Sequence, residues 1–394
     1  MIELSQDPTQ DRFVQDPYSF YDKARDQAGS SFYWPEYEMP AALSYSLVSA
    51  ILRDRRFGRQ PPVGHEPDKP PHQADFWAVE DHSMLQLEPP THTRLRKLVL
   101  HAFTSRRISE LGPEIATLAA QLLEDVPSGP SDLLPVFANK LPIIVIARLL
   151  GVPEEDADRM LDWSHAMVGM YQAGRTHQME VAASRAAREF TDYLTEIIAH
   201  KKRHPADDLL SELVAAEEAG DKLTGPELIT TAILILNAGH EATVHTIGNG
   251  VYAMLSGGHG SECLTPETIE ATSEEILRFD TPLHLFDRWA YEPVELGPVT
   301  IPKHGRIACL LGAANRDPQR WADANRFDPY RPIQTNASFG AGTHFCIGAP
   351  LARLELHAAL PVLFERLPKL SLAMPPRYAG TYHFHGLENL IVTA

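Results

Sequence analysis

One cysteine stands among three glycines and a histidine in the stretch from Phe339 to Gly348, which reads Phe-Gly-Ala-Gly-Thr-His-Phe-Cys-Ile-Gly. Glycine allows backbone conformations and close approaches that a Cβ forbids, so this density of glycines predicts a tight loop folded against a flat or bulky group. A thiolate presented by such a loop is a metal ligand or a nucleophile. Cys346 is therefore the first candidate for chemistry.

Two of the chemistries open to Cys346 lack the partners they need. A nucleophilic cysteine requires a base within reach, and His344, two residues away on an irregular loop, is poorly placed to meet the sulfur. Cys263, Cys309 and Cys346 are dozens of residues apart, which is not the paired spacing of a structural zinc site. A single thiolate can hold a metal when a macrocycle supplies the other ligands, and haem iron is the common case. A glycine-rich turn around a structural cysteine remains the alternative.

The pattern Phe-Gly-x-Gly-x-His-x-Cys-x-Gly resembles the haem-binding loop of the cytochrome P-450 monooxygenases. The resemblance implies haem b as cofactor, with Cys346 as the metal ligand and His344 in a hydrogen bond to a propionate. A helix is predicted to begin directly after the loop, at Ile347. The N–H groups and the positive dipole end of that helix would stabilise a thiolate at Cys346.

A long, largely apolar helix is predicted from Thr224 to Met254. Thr224 followed by Glu227 is a capping box, and the run from Leu228 to Leu236 is apolar nearly all round. About thirty residues at ~1.5 Å each give roughly 45 Å, so the helix is expected to cross the interior.

Inside this helix, the stretch from Ala238 to Thr243 holds small residues around one acid, Glu241. Small residues let a flat group or a small ligand approach the backbone, and a buried carboxylate is costly unless paired or hydrated. The stretch is therefore a candidate catalytic site. The alternative is that Gly239 only packs against another helix and Glu241 forms an outward salt bridge.

In the resembled family an acid and the alcohol after it deliver protons during oxygen activation, which implies catalytic roles for Gly239 and Glu241. This chain departs from that pattern, because Ala242 stands where the alcohol is expected. Thr243 comes one residue late and is rotated by about 100° around the helix. Protons must then pass from Glu241 through water, through Thr243 or His245, or through a substrate hydroxyl.

Three further residues have the types and positions expected of anion ligands. His92 and Arg96 are four residues apart on a predicted basic helix, so they share a face and can grip one anion. A solvated basic face is the alternative for that helix. Arg288 lies on a predicted strand after Pro282. The resemblance implies that His92 and Arg96 hold one haem propionate and that Arg288 reaches the other.

The pair Glu275 and Arg278 matches the Glu-x-x-Arg motif of the same family. Alone the pair is a weak signal, because any charged helix yields ion pairs three residues apart. The resemblance implies that the pair forms a structural lock with Arg326.

Two segments are expected to be irregular. The segment from Arg59 to Asp81 holds five prolines and only scattered apolar residues, so a long surface loop is predicted there. A break from Gln172 to Arg175 separates two predicted helices. The resemblance implies that these segments are a loop over the substrate pocket and a mobile lid.

The length, net charge and cysteine content of the chain limit the class of protein and its expected location in the cell. It has 394 residues and no evident linker, so we expect one domain over 1–394, mainly α with a small β region (α+β). A formal net charge of −17 disfavours nucleic acid and anionic membrane as partners. Three cysteines argue against a disulfide framework, and no run approaches the length of a membrane span. A cytoplasmic location is expected.

Taken with the resemblance, these patterns predict a haem-thiolate monooxygenase that uses dioxygen to hydroxylate, or otherwise oxidise, an apolar small organic molecule. No flavin, nucleotide or iron–sulfur motif occurs, so electrons are expected from a separate ferredoxin and reductase. Two alternatives remain at this point. One is a haem-thiolate binding or sensor protein without turnover, and the other is a peroxide-driven oxidase.

Overall fold

The fold was taken from a computed structural model that describes residues 1–103, 105–124, 126–127, 129–218 and 223–394. Its α-helices are α1 (Asp11–Gln15), α2 (Pro17–Ala28), α3 (Tyr45–Arg53), α4 (Ala74–Glu80), α5 (Thr91–Ala102), α6 (Ser105–Glu110), α7 (Gly112–Leu122), α8 (Lys140–Leu150), α9 (Ala157–Val168), α10 (His177–Arg203), α11 (Leu209–Glu218), α12 (Gly225–Ser256), α13 (Ile269–Phe279), α14 (Leu311–Asn315) and α15 (Ala349–Arg366). Short 3-10 helices include Pro71–Gln73, Gly169–Tyr171 and Gly342–His344.

The strands are short and few beside the helices. They are β1 (Ser31–Trp34), β2 (Met39–Ala42), β3 (Phe57–Gly58), β4 (Ser131–Asp132), β5 (Leu285–Ala290), β6 (Val294–Leu296), β7 (Val299–Ile301), β8 (Arg306–Leu310), β9 (Ser371–Leu372) and β10 (Ile391–Thr393). The described strands form a five-stranded sheet in the order β1-β2-β8-β5-β3, a three-stranded sheet in the order β4-β10-β9 and the pair β6-β7. The prediction of a mainly α protein with a small β region is confirmed.

The chain divides into two compact units, each assembled from distant stretches of sequence. The first unit comprises Met1–Glu66, Ala119–Ala138 and Val244–Ala394. Its core lies on the five-stranded sheet, where β5 and β8 pair antiparallel and β2 and β8 pair parallel. The second unit comprises Pro67–Leu118 and Asn139–Thr243, and in it α10 packs on α4, α9 and α11. The expected single domain stays a prediction.

Helix α12 confirms the predicted long helix almost to the residue. It has 32 residues, about 48 Å at ~1.5 Å each. The capping box is formed as expected: the Thr224 N–H donates to Glu227 Oε2 at 2.8 Å, and the Glu227 N–H donates to Thr224 Oγ1 at 3.4 Å. Most of the helix is buried, including Leu228, Ile233 and Leu236.

The segment from Arg59 to Asp81 is more ordered than its prolines predicted. It contains the 3-10 helix Pro71–Gln73 and then α4. Phe76 and Val79, three residues apart, form a buried apolar face where α4 packs against α10. The expected break between two helices is confirmed, since α9 ends at Val168 and α10 begins at His177. In the part of the chain that the structure describes, no helix combines the length and apolar character needed to cross a bilayer.

Candidate active site

The cysteine loop of the first unit has the tight form that its glycines predicted. Gly340 and Gly342 have φ values of 66° and 70°, in the left-handed region that favours glycine. A Cβ at Gly340 would lie 3.3 Å from the Phe286 ring, and one at Gly342 would collide with the Leu52 carbonyl oxygen. The Cys346 N–H donates to the Phe339 carbonyl at 3.0 Å, which closes the loop just before α15 begins at Ala349. The loop therefore holds the thiol beside a helix N-terminus, where a thiolate is favoured.

The three cysteines differ sharply in their surroundings. Cys263 and Cys309 are fully buried, and burial raises the pKa of the Cys263 thiol to about 11 and that of Cys309 to about 12. Such thiols stay protonated and make poor metal ligands. Cys346 is partly exposed at the end of its loop. Of the three, Cys346 fits the role of a thiolate that holds haem iron, because its thiol is partly exposed and lies just before the N-terminus of α15.

Arg288 and His344 lie in the same unit as Cys346. Arg288 is a buried residue of β5, where it pairs with Ile307 of β8, and its guanidinium donates to the Asp287 carbonyl at 2.7 Å. Its guanidinium carbon also lies 5.7 Å from the centre of the Phe286 ring. That ring contacts the loop at Gly340, so the sheet places Arg288 near the cysteine loop. His344 ends the 3-10 helix Gly342–His344 inside the loop itself.

A buried ion-pair network lies at the base of α13, and it corrects one expectation. Arg278 makes a bidentate pair with Glu275, with N···O distances of 2.7 and 2.8 Å. The third member is Arg331, whose Nε donates to Glu275 Oε2 at 3.1 Å. The expectation that Arg326 is the third member is wrong, because its side chain is exposed. Arg326 contributes its backbone carbonyl, which accepts hydrogen bonds from Arg278 and Arg331. A turn from Asp328 to Arg331, closed by a hydrogen bond from the Arg331 N–H to the Asp328 carbonyl at 3.0 Å, leaves the Arg331 side chain only 11% exposed.

His92 and Arg96 lie one turn apart on α5 in the second unit, as the spacing predicted. His92 is almost fully buried and Arg96 is half-buried, so the helix does not present both to solvent. The neighbouring Arg94 points elsewhere and pairs with Glu227 of the capping box at 2.5 Å. His92 and Arg96 therefore lie on one face of α5, away from the Arg94–Glu227 pair.

The small residues of α12 have different neighbours from one another. A Cβ at Gly239 would lie 2.9 Å from Cδ1 of Ile146 on α8, so this glycine allows two helices to pack closely. The Thr243 hydroxyl donates to the Gly239 carbonyl at 3.3 Å, within the helix itself. Ala242 is half-buried and has no hydroxyl. That Gly239, Ala242 and Thr243 act in catalysis stays a prediction.

Glu241 is buried, with 6% of its surface exposed. Burial raises the pKa of its carboxyl to about 7. Its Oε1 lies 3.6 Å from Nε2 of His165 on α9, and the side chain of His165 is 46% exposed. The ring of His240 lies 5.5 Å from that of His165. Glu241 is thus a buried carboxyl with a raised pKa, close to a histidine that reaches solvent.

Sequence reasoning missed His165 and Arg331. His165 lies 76 residues before Glu241 on an ordinary amphipathic helix, and nothing in its spacing marks it. Arg331 could have been found only by comparing every arginine near the Phe327-Asp328-Pro329 stretch, because Arg326 lies even closer to that stretch in sequence. Within the first unit the structure places Arg288 near the loop of His344 and Cys346; the second unit holds His92, Arg96 and the stretch from Gly239 to Thr243.

Comparison with known proteins gives a consistent result. The family model "Cytochrome P450" matches residues 267–372. The chain is 39% identical over 359 residues to cytochrome P450 107B1 of Saccharopolyspora erythraea, covering 89% of this chain and 84% of that protein. It is 35% identical to the biotin biosynthesis cytochrome P450 of Bacillus subtilis over 97% of both chains.

Solved structures agree in fold over nearly the whole chain. The crystal structure of P450BioI in complex with an acyl carrier protein ligated to hexadec-9Z-enoic acid matches with a TM-score of 0.90 and 34% identity, covering 97% of this chain and 99% of that one. The Bacillus subtilis cytochrome P450 PksS matches with a TM-score of 0.88 and 34% identity, covering 98% and 99%. The chain therefore belongs to the cytochrome P450 family of monooxygenases, oxidoreductases whose haem iron is held by a cysteine thiolate.

Proposed function

We propose that this monooxygenase oxidises an apolar small organic molecule, with haem held by Cys346 and electrons taken from a separate ferredoxin-type donor. The observation that carries the proposal is the cysteine loop, where Gly340 and Gly342 keep the backbone tight and present a partly exposed thiol at a helix N-terminus. Bound haem supplies the activation of dioxygen and the transfer of one oxygen atom to substrate. The low and odd number of cysteines, three in 394 residues, supports a reducing compartment, in line with a cytoplasmic location.

Four cationic or hydrogen-bonding residues are proposed to hold the haem propionates. His92 and Arg96 are adjacent donors on α5, and His344 and Arg288 lie within and beside the cysteine loop. Arg288 supports this role most clearly, because its guanidinium is almost completely buried in the same unit as the cysteine loop and lies near the Phe286 ring, which contacts that loop at Gly340. Arginine suits the planar carboxylate of a propionate.

Glu241 is proposed as the acid that delivers protons. Its raised pKa lets the carboxyl be protonated near neutral pH, and it lies on the same helix turn as Ala242 and Thr243. The Thr243 hydroxyl donates to the Gly239 carbonyl, so it is already engaged in the helix. His165, half-exposed and 3.6 Å away, is proposed to exchange protons between Glu241 and solvent.

The names of relatives support a small organic substrate but do not select one. The chain is 37% identical to the cytochrome P450 monooxygenase PikC of Streptomyces venezuelae and 41% identical to the vitamin D(3) 25-hydroxylase of Pseudonocardia autotrophica. Titration of the haem-loaded protein with a panel of apolar compounds should identify ligands by a blue shift of the Soret band. Compounds that cause the shift are the ones to carry into turnover assays.

Turnover itself is tested with a surrogate ferredoxin and its reductase. We expect NADPH consumption to rise when a compound that shifts the Soret band is added. The oxidised product should contain one oxygen atom from ¹⁸O₂. Product formed only with added hydrogen peroxide would favour the peroxide-driven alternative. Binding without NADPH consumption or product under either condition would favour a sensor without turnover.

Replacing Ala242 with threonine tests the departure from the family pattern. A hydroxyl at this position adds a donor next to Glu241, and a net hydrogen bond contributes about 0.5–1.5 kcal/mol. We expect the ratio of product to peroxide, per NADPH consumed, to change about 2- to 10-fold. The ratio should rise for substrates without a hydroxyl and fall for one whose own hydroxyl fills the space. Ala242→Val, which has the shape of threonine without its hydroxyl, is the control, and an equal effect in both variants would assign the change to bulk alone.

A further inference from the structure

Two histidines and a glutamate with no role in the proposed reaction converge in the second unit. His72 belongs to the 3-10 helix Pro71–Gln73, while His177 and Glu180 lie in the first turn of α10. His72 Nε2 lies 2.8 Å from Glu180 Oε2, and the ring centres of His72 and His177 are 4.4 Å apart. One ligand atom from each residue lies within 4.8 Å of the others.

This spacing is close to that of a tetrahedral metal site. Zinc bonds of about 2.0–2.1 Å to nitrogen and oxygen place neighbouring ligand atoms about 3.3–3.4 Å apart. His177 and Glu180 are three residues apart on a helix, so they share a face and can turn toward one ion. The hydrogen-bonded pair His72 and Glu180 would open slightly, and His177 would close by rotation of its side chain.

The surroundings meet the other requirements of a metal site. Arg175 Nε donates to Glu180 Oε1 at 3.0 Å, which fixes the carboxylate and leaves Oε2 directed at His72. His177 is exposed, and the side chain of His72 is 28% exposed. An ion can therefore enter from solvent, and water can complete the fourth position.

We propose that His72, His177 and Glu180 bind a divalent transition metal ion, Zn²⁺, which cross-links the segment before α4 to the first turn of α10. Two imidazoles and a carboxylate are a donor set that suits Zn²⁺. Mg²⁺ prefers oxygen ligands in an octahedral arrangement and is not expected to bind.

Isothermal titration of the tag-free, haem-loaded protein with ZnCl₂ tests this site. We expect one saturable site per chain, no heat with MgCl₂, and at least about tenfold weaker binding in His72→Gln and in His177→Gln. The matched control is His200→Gln/His204→Gln, which removes a histidine pair, with ring centres 4.9 Å apart, at the other end of α10. That control should bind Zn²⁺ as the unaltered protein does.

Hydrogen exchange provides a second measurement on the same proteins. Zn²⁺ should slow exchange of amides in the first turn of α10 in the unaltered chain and the control, but not in His177→Gln. His177 is exposed, so this variant keeps the test valid even where a change at His72 impairs folding. Absence of saturable Zn²⁺ binding would overturn the proposal and leave only the hydrogen bond between His72 and Glu180. Equal binding in His177→Gln, or loss only in the control, would also overturn the proposal.

Discussion

Replacing Glu241 with glutamine is expected to lower product formation by about 10²–10⁴-fold, the usual contribution of a positioned general acid. Glutamine keeps the size of the side chain but cannot release a proton, and the buried Glu241 carboxyl lies beside a residue without a hydroxyl, Ala242. NADPH should still be consumed, with oxygen recovered as peroxide. The measurement is product and peroxide per NADPH, compared across several substrates.

Glu355→Gln is the matched control for that substitution. Glu355 on α15 is also a buried glutamate, and burial raises its pKa, but it is not part of the proposed proton path. Its variant should keep the ratio of product to peroxide near that of the unaltered protein. An unchanged ratio in Glu241→Gln would rule out this path.

The Glu241 carboxyl is also expected to make the yield of product per NADPH depend on pH. Its pKa of about 7 lies above the ordinary value, so the protonated acid predominates below pH 7 and is lost as the pH rises through 7. Coupling of NADPH to product should therefore fall above that pH. The titratable groups nearby are His165 and His240, which face the carboxyl, and Asp162, whose charge raises the pKa of His165 while burial lowers it by more. In Glu241→Gln this dependence should disappear, and in His165→Gln it should shift.

Replacing Arg278 with methionine is expected to destabilise the protein by about 3–5 kcal/mol, because it leaves the carboxylate of Glu275 buried without its bidentate partner. Both side chains are almost completely buried, with 2% and 1% of their surfaces exposed. Arg331 makes a second contact to Glu275, so Arg331→Met should also destabilise the protein, but by less than Arg278→Met. The measurement is the free energy of unfolding in denaturant, with haem retention followed in parallel.

Arg326→Met is the control that decides between the two candidate partners of Glu275. The Arg326 side chain is exposed, so its removal should change the free energy of unfolding by no more than about 0.5 kcal/mol. A loss for Arg326→Met equal to that for Arg331→Met would contradict the arrangement seen here.

The features that were predictable from sequence are those whose partners are near in the chain. The capping box of Thr224 and Glu227, the ion pair of Glu275 and Arg278 and the glycine-dependent loop before α15 all form within a few residues. Their spacing alone sets their geometry. Such features define the long helix and the cysteine loop, and with them the class of protein.

The features that were missed depend on the path of the chain. His165 meets Glu241 across two helices, and Arg331 rather than Arg326 meets Glu275 at the end of a turn that begins at Asp328. The helical structure between Pro71 and Glu80 was not predicted, because the prolines of this segment indicate a loop. Its helix α4 is stabilised by packing of Phe76 and Val79 against α10. Tertiary contacts of this kind leave no periodic signal in the sequence.

The central claim is that Cys346 holds the haem iron, and the spectrum of the reduced protein under carbon monoxide tests it most directly. The account predicts the red-shifted band of thiolate ligation in the unaltered protein and in Cys263→Ala and Cys309→Ala, whose cysteines are buried with raised pKa values. Cys346→Ala should lose that band while keeping its helical content by circular dichroism. A red-shifted band that persists in Cys346→Ala would contradict the account.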